Sequence, residues 1–271
     1  MSRIEDALKK VANQRKIAPT NINSEVKTST PQKRVKNPVS ALLDVVPLKI
    51  SNFLLATARE EKTNVVEEFN KLRSTVIALT TGDKFLNTIL VTSTASEEGK
   101  SMTALNLAIS LAKEQDHTVL LVDTDLRRPS VHKYLEIEPE VGLVHCLRDG
   151  LPIEKALVKT GVGKLVILPA GEAVKDPLDM LSSKRMKAIV SELKERYPER
   201  YVIFDTPPAH PFADANVLAG FIDSTLFVVR EGRANKEDLK KTLEDFKDHH
   251  LLGIVYNDAH MFMKKQDYYY Y

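Results

Sequence analysis

The chain has 271 residues, 43% of them apolar, which is enough for one α/β domain with appendages. Its 39 basic and 37 acidic residues nearly cancel to a net charge of +2, so there is no electrostatic basis for nucleic-acid binding. A single cysteine, Cys146, excludes an internal disulfide and is typical of a reducing compartment. The sequence predicts neither a secretory signal nor a run of about 20 apolar residues that would span a membrane. We therefore expect a cytoplasmic protein, and any association with the inner face of the cell membrane would come through a partner or be peripheral.

The N-terminal part differs in composition from the rest of the chain. Apolar residues recur at helical spacing among charges within residues 1–16, which predicts a short amphipathic helix. Residues 17–47 are rich in Asn, Ser, Thr, Pro and Lys, and such a composition buries too little apolar surface to fold. We therefore predict three regions: a helix plus disordered linker at 1–50, a folded domain at 51–260 and a C-terminal tail at 261–271.

Strand patterns alternate with helical patterns through the folded domain. Several strand runs are apolar almost throughout, which indicates burial on both faces of a parallel sheet. The alternation predicts a doubly wound, mostly parallel α/β sheet with ligands at the carboxyl ends of the strands. The predicted strands are Thr88–Ser93, Thr118–Asp123, Lys164–Leu168, Tyr201–Asp205, Ser224–Val229 and Leu252–Tyr256. The clearest predicted helices are Ser101–Glu114, Leu178–Tyr197 and Lys236–His249.

A phosphate-binding loop is predicted where the first of these strands meets a helix. Residues 91–101 read Val-Thr-Ser-Thr-Ala-Ser-Glu-Glu-Gly-Lys-Ser, and the backbone N–H groups of such a loop point at phosphates. Lys100 would reach the β- and γ-phosphate oxygens, and the Ser101 hydroxyl would ligate Mg²⁺. The alternative is an ordinary strand–turn–helix with a solvated lysine. The loop residues that we assign to the nucleotide are Thr94, Glu98, Gly99, Lys100, Ser101 and Met102.

Carboxylates end two further strands of the predicted sheet. Asp123 and Asp125 follow one buried run, and Asp205 ends another in the position of a Walker B aspartate. Such groups hold Mg²⁺ or accept the proton of an attacking hydroxyl, whereas a cap or turn aspartate is the alternative at each position. Arg127 and Arg128 come next in the chain; an arginine there stabilises transferring charge, but one of the two could instead pair with a surface carboxylate. Ser101, Asp123 and Asp205 are the predicted metal ligands.

From about Glu67 onward, the chain resembles the bacterial protein-tyrosine kinases (BY-kinases) of capsule and exopolysaccharide synthesis, in their stand-alone form. The likeness rests on the loop at 92–101, Asp123-Thr-Asp-Leu-Arg-Arg-Pro129, Leu168-Pro-Ala-Gly171, Pro177-x3-Leu181-x-Ser183, Asp205-x-Pro-Pro208 and the terminal tyrosines. It implies a P-loop NTPase fold and Mg-ATP-dependent phosphorylation of the tail between subunits of a ring. The implied catalytic residues are Lys100, Asp123, Asp125, Arg127 and Asp205, and the implied phosphoacceptors are Tyr268, Tyr269, Tyr270 and Tyr271.

The resemblance also implies partners and shows two departures. It implies a membrane-bound polysaccharide copolymerase as activator and a tyrosine phosphatase that resets the tail. Asn257 stands where related ATPases place an adenine-contacting asparagine. Ser96-Glu97 replaces the usual Pro-Gly of the loop, and Asn70 replaces the middle arginine of the assembly motif Glu-x-x-Arg-x-x-Arg.

Two other functions fit the same fold. A ParA/MinD-like positioning ATPase would carry a signature lysine five residues before Lys100, where this chain has Ala95. A catalytically weak nucleotide-binding regulatory subunit is the other alternative. The row of four terminal tyrosines favours a kinase, because flanking polar residues indicate an exposed tail rather than a packing plug.

Overall fold

The computed structural model describes residues 47–59, 61, 63–196 and 199–260. The predicted N-terminal helix, the predicted linker up to residue 46 and the tyrosine tail lie outside this part of the chain. Within it, no helix is long and apolar enough to cross a membrane.

The described residues form a seven-stranded sheet with helices on both faces. The strands are β1 (Thr88–Ser93), β2 (Thr118–Asp123), β3 (Val158–Lys159), β4 (Leu165–Leu168), β5 (Arg200–Asp205), β6 (Ser224–Arg230) and β7 (Leu251–Asn257). The helices are α1 (Asn64–Thr80), α2 (Lys100–Ala112), α3 (Val131–Tyr134), α4 (Leu143–Arg148), α5 (Ile153–Ala156), α6 (Leu178–Ser182), α7 (Lys184–Glu195), α8 (Asp214–Ala219) and α9 (Lys236–Asp245). A 3₁₀ turn at Ala56–Ala58 precedes them.

The strand order is β3-β4-β2-β5-β1-β6-β7, and every neighbouring pair is parallel except β3 with β4. Strands β1, β2, β4 and β5 are buried along their whole length, because a separate apolar core covers each face of the sheet. This confirms the predicted doubly wound, mostly parallel sheet. The carboxyl ends of β1, β2 and β5 meet at one edge of the sheet, where such folds bind their ligands.

One predicted helix is divided in the structure. The pattern over 178–197 forms α6 and α7, and Ser183 lies between them in an extended conformation. The Ser183 hydroxyl accepts a hydrogen bond from Met186 N at 3.1 Å, so this residue ends one helix and caps the next. Apolar periodicity continues across such a junction, which is why the pattern alone predicted a single helix.

An N-terminal strap, residues 52–59, packs on α2, the helix that begins at the predicted phosphate loop. The buried Asn106 side chain accepts a hydrogen bond from Thr57 N at 3.0 Å and donates one to the Leu54 carbonyl at 2.9 Å. Lys113 at the end of α2 donates to the Thr57 carbonyl at 2.6 Å. The side chain of Leu55, within the strap, is fully buried. The strap is therefore part of the folded domain.

The Leu168-Pro-Ala-Gly171 motif has a packing role. The chain before α4 crosses it so closely that a Cβ on Gly142 would lie 2.3 Å from both the Pro169 carbonyl oxygen and Gly171 N. Leu143 N donates to that same Pro169 oxygen at 2.8 Å, and the crossing joins α4 to the end of β4. Only glycine allows this approach of two backbones.

We expect Gly142→Ala to lower the free energy of unfolding by about 1–3 kcal/mol, because the new methyl group meets backbone atoms that cannot rotate away. Chemical denaturation followed by circular dichroism measures this difference. Gly82→Ala is the matched control, since a Cβ there has no atom within 4 Å. An equal effect of both substitutions would contradict the close crossing.

Candidate functional site

The loop between β1 and α2 is shaped by its own buried side chains. Gly99 has a φ of +91°, and a Cβ there would lie 2.2 Å from Asn257 Nδ2, so this position requires glycine. Asn257 Nδ2 donates to the Glu98 carbonyl at 2.9 Å. The Glu98 carboxylate is buried and accepts a hydrogen bond from Ala95 N at 2.6 Å. Glu98 and Asn257 therefore support the loop in this structure, and α2 begins directly after it with N–H groups free for an anion.

Two arginines hold the segment that departs from the usual Pro-Gly. Glu97 has a φ of +64°, a left-handed conformation that costs a non-glycine residue about 1–2 kcal/mol. Arg233 donates to the Glu97 carboxylate at 2.5 Å and to the Ser96 carbonyl at 3.4 Å. Arg230, at the end of β6, donates to the Glu97 carbonyl at 3.3 Å. These contacts maintain a backbone conformation at position 97 that glycine would adopt without strain.

The strand register brings three carboxylates to one lysine. Asp123 and Asp205 are paired across β2 and β5 at the carboxyl ends of the two strands, and both side chains are fully buried. Asp125 follows two residues after Asp123 and lies 3.1 Å from the Lys100 ammonium. The site therefore gathers more negative charge than its lysine can neutralise.

This excess of negative charge appears in the ionisation of the buried groups. Burial raises the pKa of Asp205 to about 6; Lys100 and the nearby Ser101 hydroxyl oppose that rise, and Asp125 adds to it. Burial, together with the Asp205 charge, raises the pKa of Asp123 well above its usual range. Burial lowers the pKa of Lys100, but Asp205 and Asp125 outweigh this and the net pKa is raised. A bound cation would relieve the repulsion between the carboxylates.

Unsatisfied polar atoms at this edge of the sheet fit a magnesium–nucleotide. Among the described residues, neither carboxylate oxygen of Asp205 accepts a well-aligned hydrogen bond, although the Ser101 hydroxyl is close enough to affect its pKa. The Thr94 and Ser130 hydroxyls are likewise buried without partners in this part of the chain. Nowhere in the described ranges do three His, Cys, Asp or Glu side chains form a metal cage. Mg²⁺ would therefore take phosphate oxygens and waters as its other ligands, as it usually does.

Asp123 differs from Asp205 in its contacts. Its carboxylate accepts hydrogen bonds from Asp125 N at 3.2 Å, Ser130 N at 3.2 Å and Val131 N at 3.1 Å. These bonds fix the turn after β2 and occupy lone pairs that a metal would need. The geometry therefore favours Asp205 as the metal carboxylate and gives Asp123 an orienting role.

A cavity of about 370 Å³ opens above these groups. Of the predicted site residues, Gly99, Lys100, Ser101, Asp125 and Arg127 line it. The predicted residues that do not line it are Thr94, Glu98, Met102, Asp123, Asp205 and Asn257. Lining residues that the sequence analysis did not assign to the site are Ser96, Glu97, Arg128, Ser130, Tyr134, Pro207, Pro208, Pro211 and Phe212. Pro207 and Pro208 belong to the Asp205-x-Pro-Pro208 motif, which could have indicated their place in the site. No motif or pattern in the sequence pointed to Tyr134 or Phe212.

The two adjacent arginines have different environments. Arg127 donates from Nε to the buried Asp214 carboxylate at 2.6 Å and from Nη1 to the Lys175 carbonyl at 3.1 Å. Its guanidinium carbon lies 4.3 Å from the centre of the Phe212 ring. The side chain of Arg128 is exposed and has no ion pair or hydrogen bond within the described part of the chain. In this conformation Arg127 is a positioning residue, and Arg128 is the arginine available to a ligand.

Comparison with known proteins agrees with this geometry. Residues 89–262 match the family described as the CobQ/CobB/MinD/ParA nucleotide binding domain. Tyrosine-protein kinase YwqD of Bacillus subtilis (strain 168) is 35% identical over 214 residues, which cover 78% of this chain and 88% of that protein.

Solved structures show the same fold. The chimerical protein CapA2B2 superposes with a TM-score of 0.70 and 27% identity, covering 80% of this chain and 96% of that one. The kinase domain of the Escherichia coli tyrosine kinase ETK superposes with a TM-score of 0.71 over 80% of this chain and 84% of that one; at 23% identity, this likeness concerns the fold alone. The chain therefore belongs to the bacterial tyrosine-protein kinase family, and its core is a P-loop nucleotide-binding domain of the CobQ/CobB/MinD/ParA type.

Proposed function

We propose that this chain transfers the γ-phosphoryl group of Mg-ATP to tyrosine hydroxyls, including Tyr268, Tyr269, Tyr270 and Tyr271 of its own tail. The observation that carries the proposal is the group of three carboxylates beside Lys100 under a cavity at the carboxyl ends of β1, β2 and β5. A nucleotide-binding domain needs only part of this set to hold phosphates. The additional carboxylate suits a hydroxyl acceptor that must lose its proton.

Each residue has a role that follows from its position. Lys100 neutralises phosphate charge, and Ser101 and Asp205 hold the metal directly or through water. Bound Mg²⁺ supplies electrostatic stabilisation of the transferring phosphoryl group. The tyrosine oxygen forms a bond to the γ-phosphorus as the bond from that phosphorus to the departing ADP oxygen breaks. Asp125 accepts the phenol proton, because it is the carboxylate of the three that lines the cavity.

The cellular setting is proposed from the family resemblance. We infer that the kinase acts in capsule or exopolysaccharide synthesis and is recruited to the inner membrane face by a membrane-bound copolymerase that activates it. A tyrosine phosphatase would reset the tail.

Assembly into a ring would let one subunit's tail reach the next subunit's cavity. In the structure, Arg73 of the assembly motif pairs with Glu114 of the same chain at 3.0 Å, and Asn70 contacts Glu67.

Lys100→Met should reduce tyrosine phosphorylation by about 10²-fold or more and weaken Mg-ATP binding, because Lys100 is the only lysine of the described ranges that lines the cavity. Phosphotyrosine immunoblotting and nucleotide binding by calorimetry measure the two effects. Lys155→Met is the control, since Lys155 is an exposed lysine on α5, outside the cavity. Near-normal phosphorylation in Lys100→Met would remove the loop from the mechanism.

Asp205→Asn should abolish most kinase activity and yet stabilise the metal-free protein. The folded pKa of Asp205, about 6, lies above the unfolded value near 3.8. Ionisation of Asp205 therefore lowers the free energy of unfolding increasingly as pH rises from about 4 to 6. The uncharged amide introduced by Asp205→Asn does not ionise and avoids this loss. We expect a gain on the order of 2 kcal/mol at pH 7.5 that shrinks as pH falls through 6. Thermal denaturation in EDTA at pH 7.5 and pH 5 measures it.

Asp223→Asn is the control, and we expect it to change the stability of the protein in the opposite direction. Burial tends to raise the pKa of Asp223, but the Lys194 ammonium and the Thr88 hydroxyl bring it below its ordinary value. Its ionised form therefore stabilises the fold above pH 4, and Asp223→Asn should destabilise the protein at pH 7.5. Destabilisation by Asp205→Asn at pH 7.5 in EDTA would show that Asp205 is structural.

Phosphorylation of the tail should expel it and dissociate the oligomer, because each phosphate adds about −1.5 to −2 charges beside an acidic metal site. Light scattering before and after Mg-ATP measures the change in mass, and the rate of phosphorylation should increase with protein concentration. Changing Tyr268, Tyr269, Tyr270 and Tyr271 together to Phe should remove both effects. Tyr256→Phe, at an exposed tyrosine of β7, is the control. Full phosphotyrosine in the quadruple variant would contradict this role of the tail.

A further inference from the structure

One side of the cavity is apolar and offers few backbone hydrogen-bond donors. Pro207, Pro208, Pro211 and Phe212 follow β5 and line the cavity together. Proline has no N–H group, so three of these four residues cannot donate a backbone hydrogen bond to a phosphate oxygen. The wall consists of three proline rings and one aromatic ring. Its chemistry matches a planar, largely apolar ligand group rather than the polyphosphate that the loop at 94–101 accommodates.

The position of the Phe212 ring is fixed by Arg127, which also lines the cavity. The Arg127 guanidinium lies over the ring at 4.3 Å from its centre, a cation–π contact. Asp214 binds that guanidinium through Nε at 2.6 Å and through Nη2 at 3.2 Å, and the Asp214 carboxylate is itself fully buried. A ring held in this way costs little further conformational entropy when a ligand packs on it.

The charges that line the cavity are paired with one exception. Glu97 pairs with Arg233, Lys100 with Asp125, and Arg127 with Asp214. The guanidinium of Arg128 has no such partner in the described part of the chain, and it is exposed to solvent. The exposed charge left over at this cavity is therefore positive. Such a charge attracts a carboxylate or a phosphate on an incoming chain.

We propose that this surface is the acceptor subsite of the kinase: the proline–phenylalanine wall binds the tyrosine ring, and Arg128 binds an acidic group next to that tyrosine in the sequence. The inference rests on the proposed kinase function and adds the substrate class, a tyrosine with an acidic neighbour. The tail carries this pattern, because Asp267 directly precedes Tyr268.

The experiment separates binding of the acceptor from binding of the nucleotide. The enzyme is the full chain with the four tail tyrosines changed to Phe, so that it does not phosphorylate its own tail. The acceptors are two synthetic peptides with one tyrosine each: Lys-Lys-Gln-Asp-Tyr, which copies residues 264–268, and the same peptide with Asn in place of Asp. Steady-state kinetics gives KM and kcat for each peptide, and calorimetry with Mg-ATP gives the nucleotide Kd.

Phe212→Ala should raise KM for the Asp peptide about tenfold and leave the Mg-ATP Kd unchanged. Phe53→Ala is the matched control, because Phe53 is 73% exposed and does not line the cavity. Phe212→Leu keeps apolar volume without the ring and should lie between Phe212→Ala and the parent, which keeps the test valid if Phe212→Ala fails to fold. An equal rise in the Mg-ATP Kd would mean that the wall binds adenine and would overturn the proposal.

Arg128→Gln should remove the preference for the Asp peptide over the Asn peptide. A structural role would change both peptides alike, so loss of the preference is specific to a contact with the acidic group. Unchanged peptide KM in both the Phe212 and Arg128 variants would overturn the acceptor subsite. Failure of the proposed function looks different: the parent enzyme itself would phosphorylate neither peptide.

Discussion

The pairing of Asp123 with Asp205 across β2 and β5 places two fully buried carboxylates side by side, and the rest of the site responds to that constraint. Like charges in a buried position cannot both ionise without compensation. The Lys100 ammonium provides part of it, because its charge opposes the rise in the pKa of Asp205, and the three N–H groups around Asp123 provide another part. What remains is a carboxylate, Asp205, without a well-aligned hydrogen bond among the described residues. The parallel sheet therefore creates an arrangement that a bound divalent cation would stabilise.

Much of the fold and the centre of the site could be predicted because both are local in sequence. The strands ending in Asp123 and Asp205 are short apolar runs bounded by polar residues, and the Gly-Lys-Ser sequence fixes where α2 begins. Strand β3 was not predicted, since two residues, Val158 and Lys159, carry no detectable pattern. The junction at Ser183 was missed because a serine cap competes with a helix only when the neighbouring backbone turns.

The site residues that could not be predicted from the sequence are positioned by tertiary packing. Phe212 precedes α8 and Tyr134 ends α3, and both line the cavity because of how these segments pack at the edge of the sheet. No periodicity or motif in the sequence reports that position. The sequence also places Arg127 and Arg128 side by side without showing which of them meets Asp214, a residue 87 positions away from Arg127. Long-range pairing of this kind decides which of two identical side chains is held in place and which is available to a ligand.

The left-handed Glu97 has an evolutionary consequence. Its conformation is maintained by Arg230, the last residue of β6, and by Arg233 in the turn that follows, rather than by residues of the loop itself. Glycine at position 97 would adopt the same φ without assistance, so the importance of Arg233 depends on which residue stands at 97. The two positions are therefore epistatic, and their substitutions do not add in free energy. A lineage that had acquired the arginine first could lose the glycine without losing the loop, whereas the reverse order would pass through a strained intermediate.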